Sequence, residues 1–398
     1  MRMTFNRSSQ LGLVSAVSLL AASLLSACGT LTTDFVYVTS AKAAGSNSYG
    51  EINVFEINSE SGRMRQIPTS PFPSEGRNPV AIAAAPDYAN LFVVNQDDNT
   101  IVRFVIGSDG KLYSNQTVNT PGIYPMGVAT AGSFLFVADL YQPLASCSNA
   151  APCSGSVGVF PIGSGDALGT NVANSAVSGY YWPLTISGST DIITPTAITT
   201  ASNGAYVYVT AYDASTTNPV GYVFGFAVGS DGTLTALAGS PWAAGTKPSS
   251  LAASSDGHLY VADSSAASVR SYSISSGTLA LVGTYEAGNG PSAVAVDSTG
   301  KFVYVTNATD SNLSAYTASN GVLTLLGAYS TGSQPVAIGI DPHLNQYLFT
   351  VNFLGSTVSG FQVNSSTGQL VTSQSSPYGT NAEPTAVAAI PHGSTSTK

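Results

Sequence analysis

The chain has 398 residues, of which only 8% are charged, and its formal net charge is −9. An acidic chain with no basic stripe is excluded as a nucleic-acid binder and as a purely electrostatic ligand of anionic lipid. Ser and Thr, rather than Lys and Glu, supply its polar surface.

Residues 1–27 read as a leader that is separate from the fold. Arg2 and Arg7 precede a mostly apolar stretch from Leu11 to Leu25, which is too short for a comfortable membrane span. Leu25-Ser26-Ala27-Cys28 resembles the lipobox of bacterial lipoproteins, in which the Cys thiol is lipidated before cleavage. The alternative is an ordinary secretory signal with an incidental Cys. Lipidation of Cys28 predicts an exported protein of the bacterial cell envelope, held at the membrane by its lipid. Gly29, rather than Asp, points toward the outer membrane. Residues 28–33 form a tether of ~20 Å at most, so the domain sits close to the bilayer.

From residue 34 to residue 391 the chain repeats. Pro79, Pro125, Pro195, Pro248, Pro291, Pro335 and Pro384 each open a run of small and β-branched residues, as in Pro291-Ser292-Ala293-Val294-Ala295-Val296. An aromatic-Val run follows in each unit, for example Tyr260-Val261-Ala262-Asp263, and then an aliphatic-x-x-aromatic run such as Val269 to Tyr272. Both are short and rich in β-branched and aromatic residues, so they read as strands. Asp-Gly and Asn-Gly pairs, such as Asp256-Gly257 and Asn320-Gly321, supply the hairpin turns between them. A weaker fourth strand begins near Leu112, Leu234, Leu279, Leu323 and Leu370.

Repeated four-stranded antiparallel meanders of this length predict an all-β, seven-bladed β-propeller. Small residues where the inner strands converge, from Ala81 to Ala386, fit that geometry. The chain starts at a second strand, near Phe35, and ends with a spare first strand, Pro384 to Ile390. That C-terminal strand is predicted to complete the first blade and close the ring. An open solenoid is the rival and needs no such split blade. Residues 392–398 read as a flexible tail, and the domain as a monomer.

Cys147 and Cys153 lie six positions apart in a loop of the third unit. In an oxidising compartment they are expected to form a disulfide; metal ligation is the rival, with no His nearby. Residues 163–191 read as a low-complexity insertion between the third and fourth blades.

The succession from Pro291 to Gly327, PSAVAVDSTGKFVYVTNATDSNLSAYTASNGVLTLLG, resembles a blade of the seven-bladed lactonase-like propellers, relatives of the cycloisomerase-type 6-phosphogluconolactonases. Ser70-Pro71-Phe72, Ser240-Pro241-Trp242 and Ser376-Pro377-Tyr378, late in their units, add to the likeness. The resemblance spans residues 34 to 391 and implies hydrolysis of a sugar lactone in the funnel at one end of the ring, by a site that draws on His, Glu and Arg.

Such chemistry needs a base for water and a cation or donor set for the oxyanion. None of the three histidines maps to the funnel. His258 and His343 read as solvated residues of turns at the opposite end, and His392 follows the closing strand. The candidate catalytic residues are Glu383, which precedes a blade-opening Pro, and Arg77, a possible partner for it across the ring closure. The candidate ligand-binding residues are Asn95, Asp97, Asp139, Lys247, Asp263, Asn307 and Asn352. Asn95, Asp139, Asp263, Asn307 and Asn352 end second strands, and their alternative is side-chain bonding to backbone. Asp97-Asp98-Asn99 lacks the spacing of a calcium loop, so no metal and no cofactor is expected. The leading functional expectation is a binding scaffold that presents its loops to an envelope protein or glycan. A lactonase for an unphosphorylated or weakly charged lactone is the second. A polysaccharide-binding surface protein that uses residues 163–191 is the third.

Overall fold

A computed structural model describes residues 32–41, 48–342 and 344–393, and these form seven antiparallel sheets of at least four strands each. The leader, Cys28, Lys42, His343 and the tail beyond residue 393 lie outside the described residues. Blade 2 shows the unit: an inner strand Pro79–Ala84, then Asn90–Asn95, Thr100–Ile106 and an outer strand Leu112–Asn119.

Burial explains the residue types. The second strand is covered on both sides; every residue of Asn90–Asn95, Phe302–Asn307 and Tyr347–Asn352 is buried. Bulky β-branched and aromatic side chains fill these positions because both faces meet a neighbouring blade. The inner strands carry small residues because seven of them crowd one axis. Seven apolar clusters hold the ring, each joining two adjacent blades. One joins Tyr260, Ala262 and Val269 of blade 5 to Val294, Val303 and Val305 of blade 6. Stability is therefore close to a sum of nearest-neighbour interfaces.

The predicted closure is present. Pro384–Pro391 pairs with Thr32–Ser40 in the register Phe35↔Ile390 and Val38↔Val387, making a C-terminal strand the innermost strand of blade 1. A second device repeats around the ring. Tyrosines of second strands donate to carbonyls in the strand 3–strand 4 turn of the next blade: Tyr37 to Gly110 at 3.1 Å, Tyr208 to Gly277 at 2.9 Å and Tyr304 to Gly368 at 3.0 Å. Gly368 is required there. It has φ +72°, and a Cβ would lie 2.2 Å from the Phe302 ring.

The structure corrects two expectations, for residues 163–191 and for His258, and adds one feature. Residues 163–191 are not an insertion between blades, since they contain the outer strand of blade 3, Trp182–Pro183. That strand is only two residues long and lacks the leucine that marks the fourth strand in five of the other blades. Next, the outer strands of blades 1, 4 and 7 are broken at the Ser-Pro-aromatic motifs, whose Ser-Pro bonds are cis. The serine replaces the missing strand partner: the N–H groups of Val54, Gly225 and Gly360 donate to the hydroxyls of Ser70, Ser240 and Ser376 at 2.8, 2.9 and 3.0 Å. His258 is no solvated turn residue. It opens the second strand of blade 5 with its side chain 12% exposed and lies against Gly321 of the next blade. Phe35, Phe134, Tyr206 and Phe302 take the same place in other blades against Gly110, Gly232, Gly277 and Gly368.

Candidate functional site

The blade-opening prolines build one end of the ring. Each inner strand shows a register shift just after its Pro, a bulge that places the following residue out of the ladder. The residue before the Pro is held at positive φ in five blades: Asn78 (55°), Tyr124 (56°), Gly290 (65°), Gln334 (56°) and Glu383 (58°). Non-glycine residues rarely take this conformation. It persists because the chain on either side is fixed; carbonyls of Asn78, Gln334 and Glu383 accept N–H groups of Gln96, Phe353 and Ala41 at 2.9 Å each. With Thr194 and Lys247 in the other two blades, these residues form a seven-membered rim.

Below the rim, a cavity of about 310 Å³ runs along the axis, lined by the residues one to three places after each Pro. None of its lining residues is ionisable. Three of its hydroxyls are engaged as inter-blade stitches. Ser249 donates to the Pro291 carbonyl at 2.7 Å, Ser292 to that of Pro335 at 2.6 Å and Thr385 to that of Pro79 at 2.6 Å. No group in the channel is equipped to activate water, so acid–base chemistry is confined to the rim.

Two rim side chains carry charge. Glu383 is exposed, and its carboxylate has no partner among the described residues. Lys247 lies with Nζ 5.0 Å from the centre of the Tyr212 ring, a cation–π contact to the neighbouring blade. The possible Glu383–Arg77 pair is not made. Arg77 turns to Asp98 of its own blade, with Nε 2.6 Å and Nη2 2.5 Å from Oδ1, while its backbone N–H donates to Oδ2 at 2.7 Å. Burial works to raise the Asp98 carboxyl, but the bonds from Arg77 outweigh it and hold the group below the usual carboxylate range. Asp97 accepts the Asn78 amide at 3.2 Å.

The other candidate residues form a buried collar whose groups are largely spent on the fold. Asp263 accepts four backbone N–H groups: Thr246 at 2.6 Å, and Lys247, Ser265 and Ala266 at 3.1 Å each. Asn307 donates to Asn312 and Ser314, Asn352 to Thr357 and Ser359, and Asn95 to the Ser74 carbonyl. Asp139 is fully buried and accepts the Gly122 N–H at 3.0 Å, with the Thr120 side chain also bonded to it. Burial pushes its carboxyl up to about 8. Cys147 and Cys153 are bonded, with Cα atoms 5.5 Å apart, in the loop between the second and third strands of blade 3. No three His, Cys, Asp or Glu side chains converge as a metal site among the described residues, and no helix among them is long and apolar enough to cross a membrane.

Of this rim, the sequence reading singled out Lys247 and Glu383 but not the ring of seven to which they belong. The signal was present as a column, the position before each repeated Pro, although seven different residue types occupy it.

A family model described as Lactonase, 7-bladed beta-propeller matches residues 46–158 and 277–388. No curated protein is significantly similar in sequence. Solved structures with the same fold include a candidate 6-phosphogluconolactonase from Bacteroides fragilis, at 20% identity and TM-score 0.72, covering 91% of this chain and 99% of that one. Another is the periplasmic gluconolactonase PpgL of Pseudomonas aeruginosa, at 19% identity and TM-score 0.73, covering 90% and 99%. A protein from Lactobacillus plantarum is similar at 17% identity and TM-score 0.69, again over 90% and 99%. At these identities the likeness concerns the fold alone.

Proposed function

Because the chain belongs to the seven-bladed β-propeller lactonase family, whose model covers more than half of its length, we propose that it binds and opens an uncharged lactone at the rim of the funnel. The observation that carries this reading is the unpartnered Glu383 carboxylate, the one acid on a seven-residue rim above a channel with no ionisable lining. In the proposed reaction Glu383 takes a proton from water as its oxygen attacks the lactone carbonyl carbon. The ring C–O bond then breaks, and the proton returns to the departing alkoxide, leaving a hydroxy acid. Lys247, without a carboxylate partner among the described residues, is the available cation for the oxyanion. A phosphorylated substrate would call for clustered Arg or Lys; the rim has one Lys and no Arg, which favours an unphosphorylated one.

The test is proton release from a panel of sugar and aliphatic lactones, with spontaneous opening subtracted. Turnover that falls by about 10²-fold or more in Glu383→Gln, with no preference for phosphorylated lactones, supports the reading. Absence of turnover in the parent protein overturns it. The remaining reading is then a scaffold that binds an envelope protein or glycan without cleaving it, favoured by a collar whose polar groups are already committed to the fold. We also propose that lipid on Cys28 holds the propeller at the bacterial envelope membrane. Cys28→Ser is expected to move the protein from the membrane to the soluble fraction.

A further inference from the structure

We infer that the seam between the outer edges of blades 2 and 3 is a binding site for a neutral oligosaccharide, separate from the funnel. A cavity of about 710 Å³ lies there, between the outer strand of blade 2 and residues 168–180. Its apolar lining is Val118, Phe160 and Leu168. Around these stand Asn119, Thr170, Asn171 and Tyr180, and none of their side chains makes a hydrogen bond within the described residues. Tyr180 is 52% exposed, a large aromatic surface left open to solvent beside the cavity.

The chemistry of this lining selects its occupant. No lining residue is charged, so nothing in the cavity attracts a phosphate, a carboxylate or an ammonium group. Sugars present apolar C–H faces that pack on aromatic rings, and vicinal hydroxyls that both donate and accept. An Asn amide offers both functions to such a pair, and Thr and Tyr hydroxyls do the same singly. An apolar floor with a few neutral polar groups is the general form of a small-molecule site, and the volume is in the usual range. Two other surface cavities are charged: one carries Glu75, Arg77 and Asp98, and another Glu56, Arg63 and Arg65.

The wall is also preformed. Gln116 clamps Leu168 by two reciprocal bonds, its amide donating to the Leu168 carbonyl at 2.8 Å and its oxygen accepting the Leu168 N–H at 2.9 Å. Gly169 and Val172 continue along the third strand of blade 3, donating to Pro161 and Val159 at 2.8 and 2.9 Å. The Asn174 amide then fixes the turn before Tyr181 by donating to its carbonyl at 3.0 Å. Little chain ordering is left to oppose binding.

The test is calorimetric titration of the full chain, in a detergent without a sugar headgroup, with maltopentaose, cellopentaose and laminaripentaose. Binding of at least one is expected, weakened about tenfold or more in Tyr180→Ala and in Asn171→Ala, and kept within about threefold in Tyr180→Phe. Tyr180 is exposed, Asn171 is half-buried, and neither side chain bonds to the described residues, so both substitutions should leave the melting temperature unchanged. Glu383→Gln, at the funnel, should leave this binding intact, which separates the seam from the lactone site. No binding of any of the three overturns the inference. So does affinity that survives both alanine substitutions, or affinity for an extended peptide in place of every oligosaccharide.

Discussion

Asp139 stands directly across from Ser156 at the buried end of blade 3, and each keeps one oxygen without a partner. The same place in blades 6 and 7 holds Asn307 across from Asn312 and Asn352 across from Thr357, and there the amide donates across the strands at 2.7 and 3.0 Å. An ionised Asp cannot donate, and desolvation penalises its charge. Asp139 thus stands in for an amide as a neutral acid.

The pH consequence has a definite sign. The Asp139 carboxyl is raised from 3.8 to about 8 by burial, so the folded state holds a proton that the unfolded state releases. Stability from this group is complete below pH 3.8 and is lost as pH rises toward 8, by up to about 5 kcal/mol. Asp34, raised to about 7 by burial and by Asp341, acts in the same direction over its own window. Asp139→Asn should match the parent near pH 4.5 and exceed it in denaturant midpoint at pH 8.5. Parallel curves for the two proteins across this range would refute the assignment.

The tyrosine stitches allow an internal comparison. Tyr208 and Tyr304 donate to the turn carbonyls of the next blade, whereas the buried Tyr260 hydroxyl has no partner. Tyr208→Phe and Tyr304→Phe should each cost about 1–2 kcal/mol, since a buried carbonyl loses its donor. Tyr260→Phe should cost nothing or stabilise, because it removes an unsatisfied hydroxyl. Urea denaturation of the three variants checks this, and equal costs would show that the hydroxyl bonds carry no weight.

The fold was legible because each blade repeats the same columns, and each column answers one physical demand. Small residues sit at the axis, two-sided apolar runs lie between blades, and glycine takes the positive-φ turns. The spare strand at Pro384 revealed the closure for the same reason. Blade 3 escaped because Trp182–Pro183 is too short to show a period. The site was less legible because direction depends on backbone detail that residue type does not encode. Asn78, Tyr124, Gln334 and Glu383 share a left-handed conformation but no chemistry. Arg77 is two residues from a rim Pro, yet Asp98 captures it through both backbone and side chain. His258 reads as a solvated turn residue and serves as an aromatic spacer between blades.

Ring closure rests on one terminal strand. Ile390 is fully buried, and Pro384–Pro391 pairs with blade 1 along its length while Thr385 also bonds to the Pro79 carbonyl of blade 2. Deleting 384–398 would expose an unpaired edge at Thr32–Ser40 and open the apolar clusters on both sides, a template for aggregation. The truncated protein should lose its cooperative melting transition. Deleting 394–398 alone should leave that transition unchanged. A cooperative transition in the longer deletion would show that six blades suffice.

Asp263 decides whether the collar serves the fold or a ligand. Its carboxylate gathers four backbone N–H groups from the two loops around it, including that of Lys247, which is a rim residue. The packing is close enough that a Cβ on Gly245, at φ +89°, would lie 2.0 Å from Asp263 Oδ2. Bonds to a charged acceptor contribute about 1.5–3 kcal/mol each but do not add in full. Asp263→Ala should therefore cost about 3 kcal/mol or more. Asp263→Asn should recover only part of that loss, because its NH₂ group cannot accept from a backbone donor. Gly245→Ala should destabilise the same loops. In all three variants Lys247 loses its support, so any ligand affinity at the funnel should fall together with stability. Full stability in Asp263→Asn with funnel binding abolished would overturn the structural assignment and make the carboxylate part of the ligand site.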